Sequence, residues 1–401
     1  MTNNKKTVYV GMSGGVDSSV SAALLKEQGF DVVGVFIKVW QPDFVECTWR
    51  EDRLDAMRVC AKLEIPFITL NLEREYKEDV ADYMINEYKL GRTPNPDVMC
   101  NKYVKFGAFF DWAIERGADF VATGHYARCT RIADQRGLDA DRRRNNSQYQ
   151  LLAGEDKNKD QSYFLWTLTQ KQLSRTLFPV GDIEKPEVRI LADKFNLPTS
   201  TKKDSQGVCF LGKFDMKDFL AHYIKEIPGD VLNENGEKIG RHDGALYLTI
   251  GQRHGFTMLK RHQDVGPYYI ISKDIKNNTI TVSQDPHPEA RLRSLASGLV
   301  KIKDVNWTLG EELDLTKTYS ARIRYRQPLE ECEIKIKNHP TRGLPISTLT
   351  SFVRNSGIKS NIKNQDKEYE IHFTNPQKAI TPGQSIVIYD GEICLGGGVI
   401  S

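Results

Sequence analysis

The sequence predicts an α/β fold built on a parallel sheet, followed by two β-rich modules. Three observations carry this reading: strand-like and helix-like segments alternate from Thr7 to about Thr123, a glycine-rich run joins the first strand to the first helix, and beyond Pro228 the chain changes to short β-like segments. Alternation of the first kind implies helices on both faces of the sheet, with ligands at the carboxyl ends of its strands.

The elements follow in order. Thr7–Val10 is β-branched and aromatic and reads as a strand; Val20, Ala23 and Leu24 then recur at helical spacing, giving a helix over Ser18–Glu27. Strand Asp31–Val39, helix Arg53–Leu63, strand Phe67–Leu70, helices Glu75–Tyr88 and Val98–Glu115, and strand Asp119–Thr123 complete a Rossmann-like first domain. Between Arg131 and Ser147 the chain turns polar, with Arg142, Arg143 and Arg144 in a row, and reads as a surface insertion. Helices are expected over Gln161–Ser174 and Glu187–Asn196. After Pro228-Gly229-Asp230 come strands Tyr247–Ile250, Tyr268–Ile271 and Thr279–Val282, a compact β module. From about Ala296, strands Leu299–Ile302, Tyr319–Arg326, Cys332–Ile336, Tyr369–Phe373 and Ser385–Tyr389 favour a small barrel, interrupted by an insertion over His339–Lys367. Domain boundaries are therefore expected near residues 1–212, 213–295 and 296–401.

Composition narrows the function classes. A chain of 401 residues with 39% hydrophobic and 27% charged residues has the balance of a globular protein with several cores. Its net charge of +3 permits nucleic-acid binding without demanding it. The amino end lacks a signal-peptide apolar stretch, and no run approaches the ~18 apolar residues of a membrane span, so a cytoplasmic location is expected. Seven cysteines, widely spaced and without CxxC, argue against both a disulfide framework and a zinc ribbon.

The most specific local signal is Gly11-Met12-Ser13-Gly14-Gly15-Val16-Asp17-Ser18-Ser19. A loop at the amino end of a helix gathers backbone N–H groups, and its glycines let a phosphate chain approach them. The run lacks the Lys-Ser/Thr ending of the GxxxxGK[ST] loop and the spacing of GxGxxG, so neither a kinase-type loop nor a dinucleotide fingerprint applies. It reads as a phosphate cradle.

A second signal is Asn95-Pro96-Asp97-Val98-Met99-Cys100-Asn101. Asp97 suits a helix start, and Cys100 then falls in the first turn, where the helix dipole favours a thiolate. Asp97, Cys100, Asn101 and Lys105 fall on one helical face. Two readings stand here: a reactive thiol beside an acid, or a capping Asp97 with Cys100 buried as a small apolar residue. Cys209, in Asp204-Ser205-Gln206-Gly207-Val208-Cys209-Phe210, sits in a polar, Gly-containing loop and suits a thiol that carries a transferable sulfur.

The glycine-rich run resembles the SGGxDS loop of the ATP-pyrophosphatase (PP-loop) superfamily. Taken with NPDVMCN, TGHYAR (Thr123–Arg128), KDQSYFL (Lys159–Leu165), DSQGVCF, TIGQRHG (Thr249–Gly255), RYRQ (Arg324–Gln327) and TPGQ (Thr381–Gln384), the chain resembles the tRNA-specific 2-thiouridylase family over nearly its whole length. That resemblance implies a PP-loop ATPase domain, a small central β module and a carboxyl-terminal β-barrel that helps to hold tRNA. It implies ATP and Mg2+, adenylation of the C2 oxygen of wobble uridine U34 in tRNAs for lysine, glutamate and glutamine, and sulfur transfer from a persulfide on Cys209. A cysteine desulfurase or a sulfur-relay protein would supply the sulfur. Asp97 would assist proton movement, and Cys100 would release sulfur or close a disulfide with Cys209.

Position by position, the resemblance assigns ATP contacts to Gly11, Met12, Ser13, Gly14, Gly15, Val16, Asp17, Ser18, Ile37 and Gly124. Ile37 departs from the methionine common at that position. Asn95, Pro96 and Asp97 would surround the extruded target base. Further tRNA contacts would be His125, Lys159, Asp160, Gln161, Arg324, Tyr325 and Gln384. His125 equally suits a structural hydrogen-bonder, and Asp160 a helix cap. For Arg324, alternation in a strand over Tyr319–Arg326 would put Arg322, Arg324 and Arg326 on one basic face.

Rival readings remain at this level. Another ATP-pyrophosphatase, such as a tRNA-lysidine synthetase or an amidating synthetase, shares the loop but needs no cysteine pair. A non-catalytic tRNA-binding or sulfur-carrier protein would retain the loop as a relic. An iron–sulfur cluster on Asp97, Cys100 and Cys209 would replace the persulfide route while keeping the product.

Overall fold

The computed structural model describes residues 5–45, 49–132, 148–204, 215–259, 266–285, 298–337 and 367–401. Cys47, Cys209 and both long insertions, apart from their margins, lie outside the described residues.

The first domain is organised by strands β1 (Thr7–Gly11), β2 (Asp31–Lys38), β3 (Phe67–Asn71) and β4 (Phe120–Ala122). A hairpin, β5 (Ala127–Arg131) and β6 (Tyr149–Ala153), follows, then the two-residue β7 (Thr176–Leu177). Strands β3-β2-β1-β4-β7 form a five-stranded sheet, parallel throughout. Val8 and Val10 are wholly buried in the middle of it, as expected of a strand covered on both faces. Helices α1 (Val16–Glu27) and α2 (Trp49–Lys62) carry the crossovers on one side. A long helical run occupies residues 96–115, opening at Pro96–Met99, widening into a π-helix over Cys100–Phe109 and ending as Phe110–Glu115. The order places β1 between β2 and β4, with chain connections diverging on either side. This is the switch point at which open α/β sheets bind ligands.

The predicted helix over Gln161–Ser174 is instead a 3-10 turn, Ser162–Phe164, and one helical turn, Gln170–Leu173. Tyr163, Leu165, Trp166 and Leu168 are all buried, so this apolar stretch fills the core from an irregular backbone rather than along one helical face.

The middle module contains β8 (Gly229–Leu232), β9 (Lys238–His242), β10 (Phe256–Met258), β11 (Tyr269–Asp274) and β12 (Thr279–Ser283), in the order β10-β9-β8-β12-β11. The strand predicted at Tyr247–Ile250 is not formed: Ala245–Tyr247 is a 3-10 turn that buries Tyr247 against helix Met216–Ala221 and Ile224.

The last module is a closed antiparallel barrel of β13 (Leu299–Trp307), β14 (Thr318–Arg322), β15 (Glu330–Lys337), β16 (Glu368–Phe373), β17 (Ser385–Asp390) and β18 (Ile393–Ile400). The order β13-β16-β15-β14-β17-β18 closes through pairing of β13 with β18. Strand β18, absent from the sequence-based prediction, contains Gly396, Gly397 and Gly398. A Cβ on Gly396 or Gly397 would lie 2.1 Å from the Asn306 carbonyl oxygen or 2.2 Å from that of Ile386, so glycine lets the neighbouring backbones close the barrel. Strand β6 adds to the same strand, pairing Leu152 with Ile393 and Leu151 with Cys394, and welds the first domain to the barrel.

Among the described residues, no helix is long and apolar enough to cross a membrane.

Candidate active site

The cradle is built by short contacts within the loop. Gly11 ends β1, Met12 N donates to Val35 O (2.8 Å), and Gly14 turns the chain with φ +74°. Any side chain on Gly14 would collide with the Asp52 carbonyl oxygen, at 2.2 Å from its Cβ. Buried Ser18 holds the loop closed: its Oγ accepts from Ser13 N (3.2 Å) and donates to Gly15 O (3.2 Å), while Ser19 Oγ donates to the same carbonyl (2.7 Å). Gly15 is the N-cap of α1 and supplies no side-chain cap, which leaves the helix start to backbone amides. Gly124, just after β4, faces that start. Its Cβ would sit 2.7 Å from Ser18 N and 2.8 Å from the Asp17 carbonyl carbon, so glycine is required here by close approach. The start of α1, capped by Gly15 without a side chain, presents backbone amides to an anion, and the site fits the phosphates of ATP on that ground. Ile37, at the end of β2, is buried and packed in the sheet core.

Asp17 Oδ1 accepts from Tyr126 Oη (2.7 Å) and from Lys185 Nζ (2.6 Å). Neither partner was selected from the sequence, since each reaches Asp17 from more than a hundred residues away. Burial, reinforced by Asp17, pushes the Tyr126 hydroxyl far above its ordinary range, so it remains a donor to the carboxylate. Among the described residues, no group of three or more His, Cys, Asp and Glu side chains is placed to hold a metal ion.

The Asn95–Cys100 segment begins the helical run at residues 96–115. Asn95, rather than Asp97, is the N-cap: its side chain accepts from Val98 N, with Pro96 in the first turn. Asp97 is half-buried, and Cys100 is wholly buried beside Val98 and Val104. The π-helical stretch starts at Cys100, so Lys105 follows it by one widened turn, and Lys105 Nζ lies 3.5 Å from His125 Nε2. His125 Nδ1 is 2.8 Å from Thr123 Oγ1, and the ring packs against Phe106 and Phe178. Burial, then the Lys105 charge, holds this imidazole well below its usual value and therefore neutral.

The remaining predicted contacts fall into two groups. Lys159 Nζ pairs with Asp204 Oδ2 (2.7 Å), and Gln161 Oε1 accepts from Tyr126 N (3.0 Å). Asp160, 4% exposed, accepts from Gly154 N and Ser162 N at 3.0 Å each, so it organises a turn rather than capping a long helix. The second group lies on the barrel, where the strand predicted through Arg326 stops at Arg322. The chain bends at residues 323–324 and turns at Arg326, φ +65°, so the three arginines share no strand face. Arg322 instead stacks on Tyr389 and lies 3.7 Å from Asp160. Arg324 donates to Ile250 O (2.8 Å), Ala379 O (3.2 Å) and Thr381 Oγ1 (2.9 Å), pinning the middle module to the barrel. It borders a cleft of about 360 Å³ that also holds Tyr325, Arg326 and Lys378. Tyr325 packs on Phe164 at 4.5 Å between ring centroids. Gln384 Nε2 donates to Thr93 O (3.0 Å) and Pro94 O (3.2 Å), anchoring the approach to Asn95.

The parallel sheet, its switch point and the SGGxDS loop define an ATP-pyrophosphatase domain. A family model described as tRNA methyl transferase HUP domain matches residues 6–213, one described as tRNA methyl transferase PRC-barrel domain matches 217–284, and one described as aminomethyltransferase beta-barrel domain matches 353–400. The tRNA-specific 2-thiouridylase MnmA of Listeria innocua is 44% identical over 402 aligned residues, covering 100% of this chain and 96% of its own. The protein of the same name from Halalkalibacterium halodurans is 44% identical, covering 98% of this chain and 94% of its own. The solved U34-tRNA thiolase NcsA from Methanococcus maripaludis, with its four-iron, four-sulfur cluster, matches at TM-score 0.32 and 19% identity over 55% of this chain and 64% of its own, too loose a likeness to bear on the chemistry. The chain belongs to the tRNA-specific 2-thiouridylase family.

Proposed function

We propose that this protein is a cytoplasmic tRNA-uridine 2-sulfurtransferase that converts U34 of the tRNAs for lysine, glutamate and glutamine to 2-thiouridine at the expense of ATP. The observation that carries the reading is the contact series Lys105–His125–Gly124–Ser18. It brings the helix bearing Asp97 and Cys100 against the nucleotide cradle, where a base and an α-phosphate must meet. Family membership over the whole chain supports it. Residues 1–212 would be the catalytic domain, 213–295 the central module and 296–401 the tRNA-holding barrel.

The uracil C2 oxygen is a poor leaving group, so it attacks the α-phosphate of ATP, pyrophosphate departs, and the oxygen becomes an adenylate. Backbone amides of Gly14, Gly15 and the first turn of α1 meet the phosphate charge, and magnesium brought in with ATP would neutralise the departing pyrophosphate. The terminal sulfur of a Cys209 persulfide attacks C2, and AMP leaves with the former O2. Attack of the Cys100 thiolate on Cys209 Sγ then releases 2-thiouridine and leaves a Cys100–Cys209 disulfide, which a two-electron reductant must reopen. Asn95, Pro96 and Asp97 surround the extruded base, with Asp97 moving the proton. Buried His125 is assigned to supporting Gly124 rather than to touching RNA. A cysteine desulfurase or relay protein reloads Cys209.

AMP formation tests this reading. Unmodified lysine tRNA should elicit AMP and pyrophosphate from ATP, and the same tRNA carrying cytidine at position 34 should not. Equal AMP release with both would contradict it.

A further inference from the structure

Residues 199–204, the described stretch that leads toward Cys209, are held by side chains of several elements. Arg189 donates to Ser200 O (2.8 Å), Lys202 O (2.5 Å) and the Asp204 carboxylate. Lys202 pairs with Asp52 (2.8 Å) and Asp55 (2.7 Å) at the start of α2. Lys159 takes Asp204 Oδ2. Lys185 differs from these in joining this stretch to the cradle loop: its Nζ is 2.6 Å from Asp17 Oδ1 and 2.9 Å from Asp204 Oδ1, and its side chain is only 11% exposed. Each carboxylate has further donors, Tyr126 on Asp17 and Lys159 and Arg189 on Asp204. Loss of Lys185 therefore leaves both carboxylates bonded while removing the ammonium they share. Although burial acts to raise the Asp204 carboxyl, the Lys159 and Lys185 hydrogen bonds hold it well below the usual carboxylate range, so it is ionised at neutral pH.

We propose that Lys185 is a positioning residue that couples the nucleotide cradle to residues 199–204. An ammonium shared between two carboxylates shifts toward whichever site gains negative charge. ATP entering the cradle brings that charge to the Asp17 side and draws Lys185 away from Asp204. Coupling of this kind is reciprocal, so altering Asp204 must alter nucleotide affinity although Asp204 makes no bond to the cradle loop itself. The inference rests on the cradle binding ATP, as proposed above.

The test is a double-mutant cycle, read by calorimetric titration of the full chain with Mg2+ and α,β-methylene-ATP, with thermal melts showing that each variant is folded. Asp204→Asn releases Lys185 toward the cradle and should tighten nucleotide binding roughly threefold or more, the scale of coupling between bonded side chains. The same change made on Lys185→Met should shift affinity by far less. Lys185→Gln replaces Lys185→Met if the latter does not fold. Tightening that is equal in both backgrounds, or absent from the chain with native Lys185, overturns the coupling. A native chain that binds no nucleotide overturns the ATP reading as well, and the first titration distinguishes that outcome from a failed cycle.

Discussion

Lys105 Nζ lies 3.5 Å from His125 Nε2, and this contact joins the helix of Asp97 and Cys100 to the residue beside Gly124. The sheet order brings β1 and β4 together, so the loop after each strand opens on one crevice. Lys105 lies within the π-helical stretch that begins at Cys100.

Gly124→Ala should weaken ATP binding by about tenfold or more, ~1.4 kcal/mol. The added methyl would lie 2.7 Å from Ser18 N and must push the cradle from the α1 start. Nucleotide titration reads the loss; an unchanged Kd would show that the crevice closes without that approach.

His125 should make stability depend on pH with a definite sign. Its native value is depressed below 6.5 by burial and by Lys105, so the unfolded state binds the extra proton as pH falls. The stabilising contribution is complete above pH 6.5 and is lost as pH drops toward the native value. His242, also lowered by burial, acts in the same direction. Tm should therefore fall between about pH 7.5 and about pH 5.5, and less steeply in His125→Gln. Parallel slopes for the two proteins would contradict this assignment.

Arg324→Ala should destabilise the joint between the middle module and the barrel by about 2 kcal/mol, the scale of lost charged hydrogen bonds. Its guanidinium is committed to Ile250, Ala379 and Thr381, so tRNA affinity should fall without a change in salt dependence. A decrease of about one in the slope of log K against log salt would reveal a direct phosphate contact instead.

Gln384→Ala should slow thiolation while sparing ATP affinity, because Gln384 fixes Thr93 and Pro94 ahead of the Asn95 cap and is remote in sequence from the cradle. Single-turnover thiolation and nucleotide titration, made side by side, check this; a parallel loss of ATP binding would count against it.

Legibility in the sequence followed the range of the interactions. The cradle was readable because Gly11 to Ser18 is local chemistry: three glycines, a helix start and serines that bond within five residues. Strand–helix alternation marked the first sheet for the same reason. Strand β18 was not readable, since its glycines have low strand propensity and are chosen by the backbones of β13 and β17 pressing on them. The helix over Gln161–Ser174 failed because an apolar run buried on every side carries no reliable period. The basic strand face failed because the strand ends at Arg322 and the chain bends before Arg324, reaching a positive φ at Arg326. Lys185 and Tyr126 escaped notice because their partner Asp17 is brought to them only by the fold. A Lys-Pro pair at the start of a helix, Lys185–Lys194, was the local trace available.

The most direct measurement is mass spectrometry of nucleosides from unmodified lysine tRNA after incubation with the protein, ATP, magnesium and a persulfide source, with Cys209→Ala run in parallel. The account predicts the sulfur-for-oxygen mass gain at uridine 34 with the native chain and none with the variant. AMP release without that gain in the native chain would contradict it.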